Sequence, residues 1–268
     1  MTDDFLHRFG GIGRLYGIAT LEAFSNSHVM IVGLGGVGSW AVEALARSGI
    51  GHLSLVDLDD LCQTNINRQI HALTNTVGQS KATALATRLR EINPAIGITI
   101  HQCFYSEKNA DELLLRNQPD AVIDAIDSVR PKCHLLATCR QHEIPVIASG
   151  AAGGRFDATQ IRLDDLSKTH GDSLLQVVRR ILRSDYRFPA AAKKSSKFRI
   201  PAIFSPEQPK FPQCDGTTST NRPTKIHGKI KCDSGYGAAT HLTATFGNLA
   251  SGWILTVLAE KNQKSDNS

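Results

Sequence analysis

The sequence has no C-x-x-C pair, although it contains six cysteines among its 268 residues. Paired cysteines of that spacing are typical of structural zinc sites, so a zinc-binding module is not expected. The thiols are scattered along the chain: Cys62, Cys103, Cys133, Cys139, Cys214 and Cys232. The opening residues MTDDFLHRFG also lack the apolar core of a signal peptide. We therefore expect reduced thiols and a cytoplasmic protein.

Acidic residues are scarce in one late segment of the chain. Residues 1–178 have a net charge of −4, whereas residues 179–231 carry 13 Lys and Arg against 3 Asp and Glu. A bound polyanion such as RNA would explain this excess of positive charge, and so would a solvated, lysine-rich loop. The candidate RNA-binding residues are a cluster in this segment: Lys193, Lys194, Lys197 and Arg199.

Charged residues are missing altogether between Asp233 and Glu260, a stretch that is long enough to span a membrane. His241, Asn248 and several threonines and glycines make it only weakly hydrophobic. We therefore predict a buried helix, or a helix in a dimer core, over about residues 236–259. Membrane association through the same segment is the alternative.

Apolar segments alternate with helical patterns through the first half of the chain. Strands are predicted at five places: 28–33, 52–57, 96–100, 120–125 and 145–149. Helices are predicted at four: 37–48, 80–93, 107–117 and 131–142. This alternation indicates an α/β fold with a Rossmann-like, doubly wound, mainly parallel sheet and helices on both faces. We assign residues 1–150 to this core.

The pattern changes after residue 150, and we assign residues 151–268 to a C-terminal extension packed on the same domain. Residues 159–166 are predicted to form a strand that leaves the main sheet, and residues 174–183 a basic amphipathic helix. Residues 184–231 are rich in Pro, Lys, Ser and Thr and lack periodicity, so we expect long basic loops there.

The stretch IVGLGGVGSW, residues 31–40, follows the first predicted strand and precedes the first predicted helix. Its glycines match the spacing G-x-G-x-x-G: Gly33, Gly35, Gly36 and Gly38. Such a turn brings backbone N–H groups close to a phosphate at the N-terminus of a helix. Asp57, at the end of the second strand, fits an acceptor for ribose hydroxyls. These features alone are compatible with NAD as well as with ATP.

The residues that follow Asp57 favour ATP, because a triphosphate needs cations that a dinucleotide does not. Arg68 can clamp phosphate oxygens with two hydrogen bonds, and Lys81 supplies a point charge at the start of a helix. Asp124 and Asp127 end the fourth strand, and Asp127 is our candidate ligand for Mg²⁺ that bridges phosphates. The predicted nucleotide-binding set is Gly33, Gly35, Gly36, Gly38, Asp57, Asp59, Asn65, Arg68, Gln69, Lys81 and Asp127.

Over residues 8–150 the chain resembles the adenylating, ThiF-type superfamily of ubiquitin-activating and molybdopterin- or thiamine-type activating enzymes. The resemblance is carried by GLGGVGSW, LVDLDDLCQTNINRQ, VGQSKA and DAIDS, which occur in that order. It implies ATP and Mg²⁺ as cofactors and an acyl-adenylate formed with release of pyrophosphate. It also implies a homodimer in which an N-terminal arginine enters the partner's ATP site. Arg14 is our candidate for that role, and Arg8 is the second choice.

A narrower resemblance extends over nearly the whole chain. The segments RFGGIGRLYG, TNINRQIHAL, DAIDSVRPK and KCDSGYGAATHLTATFG are similar to the tRNA threonylcarbamoyladenosine dehydratase family. The resemblance implies that ATP activates the threonyl carboxylate of the modified adenosine, whose side chain then closes into a ring. Residues 184–231 match no motif of that family. The predicted catalytic residues are therefore Arg68, Lys81, Asp127 and, from the partner subunit, Arg14.

Several alternatives stay open at this point. Cys232 is a candidate reactive thiol, because it follows the basic KIK, but the sequence favours a buried or structural cysteine, since cyclisation needs no thiol. A sulfur-relay protein is a further candidate partner, and a monovalent cation a further candidate ligand. The chain could instead adenylate the C-terminal Gly-Gly of a ubiquitin-like sulfur carrier, or serve as a nucleotide-binding scaffold. We interpret His71 and His241 as packing or polar-network residues rather than acid–base catalysts.

Overall fold

The computed structural model describes residues 1–190, 197–213, 215–221 and 236–265, and side chains as far as residue 263. Strands in this part of the chain are β1 (His28–Val32), β2 (His52–Val56), β3 (Gly97–His101), β4 (Ala121–Asp124), β5 (Val146–Ser149), β6 (Arg162–Asp165), β7 (Pro201–Phe204), β8 (Phe211–Pro212) and β9 (Thr218–Ser219). Helices are α1 (Asp3–Tyr16), α2 (Ile18–Asn26), α3 (Gly38–Arg47), α4 (Lys81–Ile92), α5 (Val129–Gln141), α6 (Ser173–Asp185) and α7 (Thr240–Ser265).

Seven of the strands form one sheet in the order β3-β2-β1-β4-β5-β7-β6. The pairs from β3 to β7 are parallel, and in the β1–β2 pair His28 lies opposite His52 and Val32 opposite Val56. The chain moves from β1 towards β3 on one side and continues at β4 on the other. The strand order therefore reverses at β1, and this reversal opens a crevice at the carboxyl ends of β1 and β4. The predicted Rossmann-like fold is confirmed.

Both faces of the sheet are covered, which explains the apolar strands. Alternate residues of a strand point to opposite faces, so Ile31 and Leu55 pack towards α3, α4 and α7, whereas Met30 and Val122 pack towards α5 and α6. All four side chains are fully buried. The hydrophobic core is therefore divided into two layers by the sheet, as expected of a parallel sheet.

Helix α7 packs so closely on α3 that a side chain would not fit at the crossing. A Cβ atom at Gly247 would lie 2.6 Å from the carbonyl oxygen of Val37 and 2.8 Å from the amide of Ala41. The hydroxyl of Ser251 donates to the Ala41 carbonyl at 3.0 Å. Thr240–Gln263 is long and apolar enough to cross a membrane, and half of its most apolar window is buried inside the protein.

The C-terminal part of the sheet differs from the sequence prediction. The strand predicted to leave the main sheet does not leave it, because β6 pairs with β7 in antiparallel orientation at the sheet edge. β7 lies within 184–231, where we expected only loops, and its Ala202, Ile203 and Phe204 are buried. An apolar triplet in a Pro- and Lys-rich segment is too short to show periodicity. The division at residue 150 stays a prediction.

Four helical segments also differ from the prediction. The helix expected over 107–117 is a shorter π-helical segment, Asp111–Arg116. The apolar C-terminal helix begins at residue 240 instead of about 236 and continues to residue 265. Helices α1 and α2, which we did not predict, meet at Gly17, whose positive φ of 95° ends one helix before the next begins.

Candidate functional site

A cavity of about 850 Å³ opens at the carboxyl edge of the parallel strands, where the strand order reverses. The structure brings almost the whole predicted nucleotide-binding set to this cavity, although its members are spread over about a hundred residues of sequence. The set members that line it are Gly33, Gly35, Gly36, Asp57, Asp59, Asn65, Arg68, Gln69, Lys81 and Asp127. Gly38 is in the set but does not line the cavity.

The glycine loop is shaped by close contacts that only glycine permits. Gly33 has a φ of 92°, and a Cβ atom there would lie 2.8 Å from the carbonyl oxygen of Ala125. A Cβ atom at Gly38 would lie 1.8 Å from the carbonyl oxygen of Gly33. Gly38 therefore lets α3 begin directly against the end of β1, and the start of the helix faces the crevice. This arrangement presents backbone N–H groups to an anion.

Asp57 holds the loops that surround it. Its Oδ2 atom accepts a hydrogen bond from the amide of Leu34 at 2.7 Å, and its Oδ1 atom accepts one from the amide of Asp59 at 2.8 Å. The side chain is buried, so these bonds fix the glycine loop relative to the end of β2. This structural role was not evident from the sequence. The predicted contact of Asp57 with ribose stays a prediction.

Lys81 places a positive charge inside the cavity, as the first residue of α4. Its Nζ atom lies 2.7 Å from Oδ2 of Asp59, and its backbone amide donates to the carbonyl oxygen of Asp59 at 3.0 Å. The Lys81 side chain is only 8% exposed, whereas that of Asp59 is 51% exposed. The ion pair therefore fixes the position of the ammonium group at the wall of the cavity.

Arg68 and Gln69 come from the turn between β2 and α4. The guanidinium group of Arg68 donates a hydrogen bond to the carbonyl oxygen of Thr64 at 2.8 Å. The backbone carbonyl oxygen of Arg68 accepts one from the indole N–H of Trp40 at 3.1 Å. Gln69 is buried, and its Oε1 atom has no hydrogen-bond partner within the described residues. An acceptor buried without a partner is costly, so a donor from a ligand or a water suits this position.

Asp127 is exposed to the cavity three residues beyond β4. Its carboxylate has no hydrogen-bond or ion-pair partner in the part of the chain that the structure describes. Within that part, no group of three or more His, Cys, Asp or Glu side chains could hold a metal alone. Mg²⁺ is bound in many nucleotide sites through one or two carboxylates together with phosphates and water. One free carboxylate facing the cavity fits that pattern.

The other carboxylate at this edge, Asp124, is not free. Its Oδ2 atom lies 2.8 Å from Nζ of Lys132, and both side chains are completely buried. Burial raises the pKa of Asp124, and the ammonium group of Lys132 opposes that shift. Lys132 also donates to the carbonyl of Ile126 at 2.9 Å, which fixes the turn before Asp127. Sequence reasoning missed Lys132, because a lysine in an amphipathic helix ordinarily faces solvent.

The predicted N-terminal arginines lie outside the cavity of their own chain. Arg14 is exposed in the last turn of α1, and Arg8 forms an ion pair with Asp4 at 2.8 Å. His71 is buried, and burial together with the charges of Lys81 and Arg88 lowers its pKa to about 3. A neutral, enclosed imidazole of this kind agrees with the predicted packing role.

The predicted RNA-binding residues are only partly described. Lys197 and Arg199 are exposed just before β7, and β7 is parallel to β5, so they lie at the edge of the sheet opposite the cavity. Lys193, Lys194 and the candidate thiol Cys232 lie outside the described residues. The roles of all five residues stay predictions.

A parallel sheet with a glycine loop and a charged cavity at its carboxyl edge defines a nucleotide-binding protein of the Rossmann-like class. The comparison with family models is more specific. The chain belongs to the ThiF family, whose model matches residues 12–268.

Relatives within this family match nearly the full chain. It is 46% identical over 251 residues to the tRNA threonylcarbamoyladenosine dehydratase of Escherichia coli, covering 93% of this chain and 92% of the relative. It is also 46% identical to the Haemophilus influenzae protein of that name, covering 97% and 96%. The Escherichia coli molybdopterin-synthase adenylyltransferase is more distant, at 37% identity over 59% of this chain and 65% of the relative.

Solved structures give the same grouping. The Escherichia coli dehydratase TcdA in complex with AMP matches with a TM-score of 0.87 and 42% identity, over 98% of both chains. The same protein in complex with ATP matches with a TM-score of 0.84 and 40% identity, again over 98% of both chains. The fold of this chain is therefore that of a protein solved with adenine nucleotides.

Proposed function

We propose that this protein dehydrates threonylcarbamoyladenosine in the anticodon loop of tRNA at the expense of ATP. The near full-length identity of 46% to two tRNA threonylcarbamoyladenosine dehydratases carries the proposal. The cavity supports it independently, because it combines a glycine loop, two cations and a free carboxylate in the way that a nucleoside triphosphate requires.

The reaction begins when the threonyl carboxylate attacks the α-phosphate of ATP and pyrophosphate leaves. A group within the same side chain then closes the ring on the activated carbonyl and expels AMP, so that the nucleoside loses one water overall. Arg68 and Lys81 bind and neutralise the phosphates in this proposal, and Asp57 holds the ribose. Because the nucleophile and the activated carbonyl belong to one molecule, their proximity lowers the barrier to ring closure. The proton that the nucleophile loses passes to solvent in this proposal.

Asp127 is the residue that would hold Mg²⁺ together with the phosphates of ATP. The metal would supply neutralisation of the charge that develops on pyrophosphate. We assign no residue to a monovalent cation.

The active form is proposed to be a homodimer in which Arg14 completes the ATP site of the partner subunit. Two exposed apolar residues follow Arg14 closely in the chain and support an interface at this corner: Leu15 is 74% exposed and Ile18 is 55% exposed. Isolated apolar residues are common on surfaces, but two of them beside a predicted interface residue favour burial against a second chain. The Arg14 side chain is exposed, so it is accessible to a second chain.

The remaining partners follow from the proposed substrate. A tRNA-modifying enzyme is expected in the cytoplasm, and a sulfur-relay protein stays a candidate partner. Lys193, Lys194, Lys197 and Arg199 are proposed to attract the tRNA through long-range charge.

A second candidate reaction is adenylation of the Gly-Gly terminus of a sulfur carrier. The 37% identity to a molybdopterin-synthase adenylyltransferase is the observation that favours this second reaction. Incubation with ATP, Mg²⁺ and either modified tRNA or a Gly-Gly carrier separates the two. Nucleoside mass spectrometry then reports dehydration, and AMP release in the presence of the carrier alone reports the second reaction.

A further inference from the structure

The described residues expose three large aromatic side chains, and two of the three line the same cavity. Phe104 is 59% exposed, Phe156 is 54% exposed and Tyr236 is 43% exposed. Phe104 and Tyr236 both line the cavity that contains the proposed ATP site. Exposed aromatic rings at the rim of a charged cavity are the groups on which proteins stack unpaired nucleobases.

The two rings lie at opposite ends of the cavity. Phe104 follows β3, whereas Tyr236 rests on Gly153 and Gly154, which follow β5. In the sheet order β3-β2-β1-β4-β5 these ends are four strand spacings apart, which is about 19 Å. Because Asp57 ends β2, the nucleoside of ATP belongs on the side of Phe104. The end that contains Tyr236 is therefore left for the substrate whose carboxylate is activated.

Glycine backbone fixes the position of the Tyr236 ring. A Cβ atom at Gly153 would lie 2.9 Å from Cβ of Tyr236, and one at Gly154 would lie 2.7 Å from its Cδ1. The amide of Gly154 donates to the carbonyl of Gly237 at 2.7 Å. The Phe211 ring packs beside Tyr236, with 5.1 Å between ring centroids. The aromatic ring is thus backed by protein while much of its surface stays accessible.

Positive charge adjoins this aromatic pair. Lys210 precedes Phe211 in the chain, its amide donates to the carbonyl of Gly154 at 2.7 Å, and its Nζ atom lies 4.3 Å from the centroid of the Phe156 ring. A lysine held over an aromatic ring suits a phosphate backbone that passes beside a stacked base. Lys197 and Arg199, in contrast, lie at the other edge of the sheet.

We propose that Tyr236, backed by Phe211, stacks on the adenine base that carries the threonylcarbamoyl group and so orients its carboxylate towards the α-phosphate of ATP. The inference rests on the proposed function and adds the residue that binds the substrate base. Tyr236 is a binding and positioning residue in this proposal, because the ring contacts the base and not the atoms that react.

The first test compares Tyr236→Ala, Tyr236→Leu and Tyr236→Phe. Tyr236→Ala and Tyr236→Leu should raise the KM for modified tRNA about tenfold, because stacking on an aromatic ring is lost. Tyr236→Phe keeps the ring and should stay within about twofold of wild type. The Kd for ATP should be unchanged in all three variants. Equal KM values for wild type and Tyr236→Ala, or a defect in Tyr236→Phe as large as in Tyr236→Ala, would overturn the proposal.

The second test identifies the stacked base without any turnover. Binding of an anticodon stem-loop that carries threonylcarbamoyladenosine is compared with binding of the same stem-loop made abasic at that nucleotide. Tyr236→Ala should weaken binding of the intact stem-loop about tenfold and leave binding of the abasic one unchanged. A loss that persists with the abasic stem-loop would overturn the assignment to this base.

Phe104→Ala is the matched control, because it removes a ring of similar exposure at the other end of the cavity. Measured without ATP, its Kd for the stem-loop should equal that of wild type, and an equal loss in both variants would contradict the proposal. The binding result and the activity result can differ. If the stem-loop binds as predicted but the protein has no dehydratase activity, the proposed function is wrong and the stacking site is retained.

Discussion

The ammonium group of Lys132 lies 2.8 Å from the carboxylate of Asp124, and neither side chain has any exposed surface. The pair joins α5 to the end of β4 beneath the cavity. Asp124 Oδ1 accepts from the amide of Ile126 at 3.1 Å, and Lys132 donates to the carbonyl of the same residue at 2.9 Å. Both partners therefore hold the backbone of one residue, Ile126, which directly precedes Asp127. The proposed Mg²⁺ ligand takes its position from this buried pair.

Removing one partner should be costly. Lys132→Met leaves the Asp124 carboxyl group buried without its cation, so the free energy of unfolding should fall by about 3–5 kcal/mol. The double variant Asp124→Asn/Lys132→Met removes both charges and should recover much of that loss. Urea unfolding of the three proteins measures both effects. A Lys132→Met variant as stable as wild type would show that the pair does not support the fold.

Arg68 is expected to bind phosphate and not to stabilise the fold. Arg68→Ala should lower AMP formation about 10²- to 10³-fold, because a preorganised donor to the triphosphate is lost. Arg68→Lys keeps the charge without the planar fork, so its activity should lie between the two. The melting temperature of both variants should match that of wild type. Full activity in Arg68→Ala would remove the assignment of the ATP site.

The in-trans role of Arg14 can be tested by mixing inactive variants. Arg14→Ala and Arg68→Ala should each be inactive alone. A mixed dimer has one site with both arginines intact, so an equal mixture that exchanges subunits should regain about a quarter of wild-type activity. AMP release before and after exchange gives the measurement. If both variants are inactive alone, a mixture that stays inactive after confirmed exchange would mean that Arg14 acts within its own subunit.

His71 makes the fold sensitive to acid. Its folded-state pKa is lowered to about 3, below the value of an exposed histidine, because burial and the nearby charges of Lys81 and Arg88 disfavour the imidazolium. The unfolded state therefore binds a proton at His71 at higher pH than the folded state does. The contribution of neutral His71 to the free energy of unfolding is fully present above about pH 6.5 and is lost as the pH falls from there towards 3. His71 should contribute about 2 kcal/mol to the fall in unfolding free energy between about pH 7 and pH 5.

The comparison with His71→Asn isolates this contribution from those of the other histidines. The variant is expected to be less stable at neutral pH and to show a shallower pH dependence. Identical slopes in wild type and variant would refute the role assigned to His71.

Local sequence patterns predicted the fold well where an element is long or ends in a marked turn. The apolar runs of β1 and β2 and the glycine loop between β1 and α3 are such cases. β7 escaped prediction because its apolar Ala202, Ile203 and Phe204 become a strand only through pairing with β5 and β6. At the site, too, the positions of side chains that depend on tertiary packing could not be predicted from the sequence. The sequence pattern predicted that Arg68 and Lys81 belong to one site. The burial of Lys132, in contrast, depends on how α5 packs on the sheet.

The position of Tyr236 at the cavity shows most clearly what the sequence could not predict. Tyr236 and Gly153 are more than eighty residues apart, and no periodicity connects them. Their contact follows from the way in which the chain before α7 crosses the turn after β5. Such contacts between distant loops arise from tertiary structure and are not encoded in a local pattern.

The most direct test of the proposed reaction is the mass of the modified nucleoside. tRNA that carries threonylcarbamoyladenosine is incubated with the protein, ATP and Mg²⁺, digested to nucleosides and analysed by mass spectrometry, with Arg68→Ala as the control. We expect a nucleoside lighter by one water, formed together with AMP in the wild-type reaction and absent from the control. An unchanged nucleoside, with AMP released only when a Gly-Gly carrier is added, would contradict the proposed function.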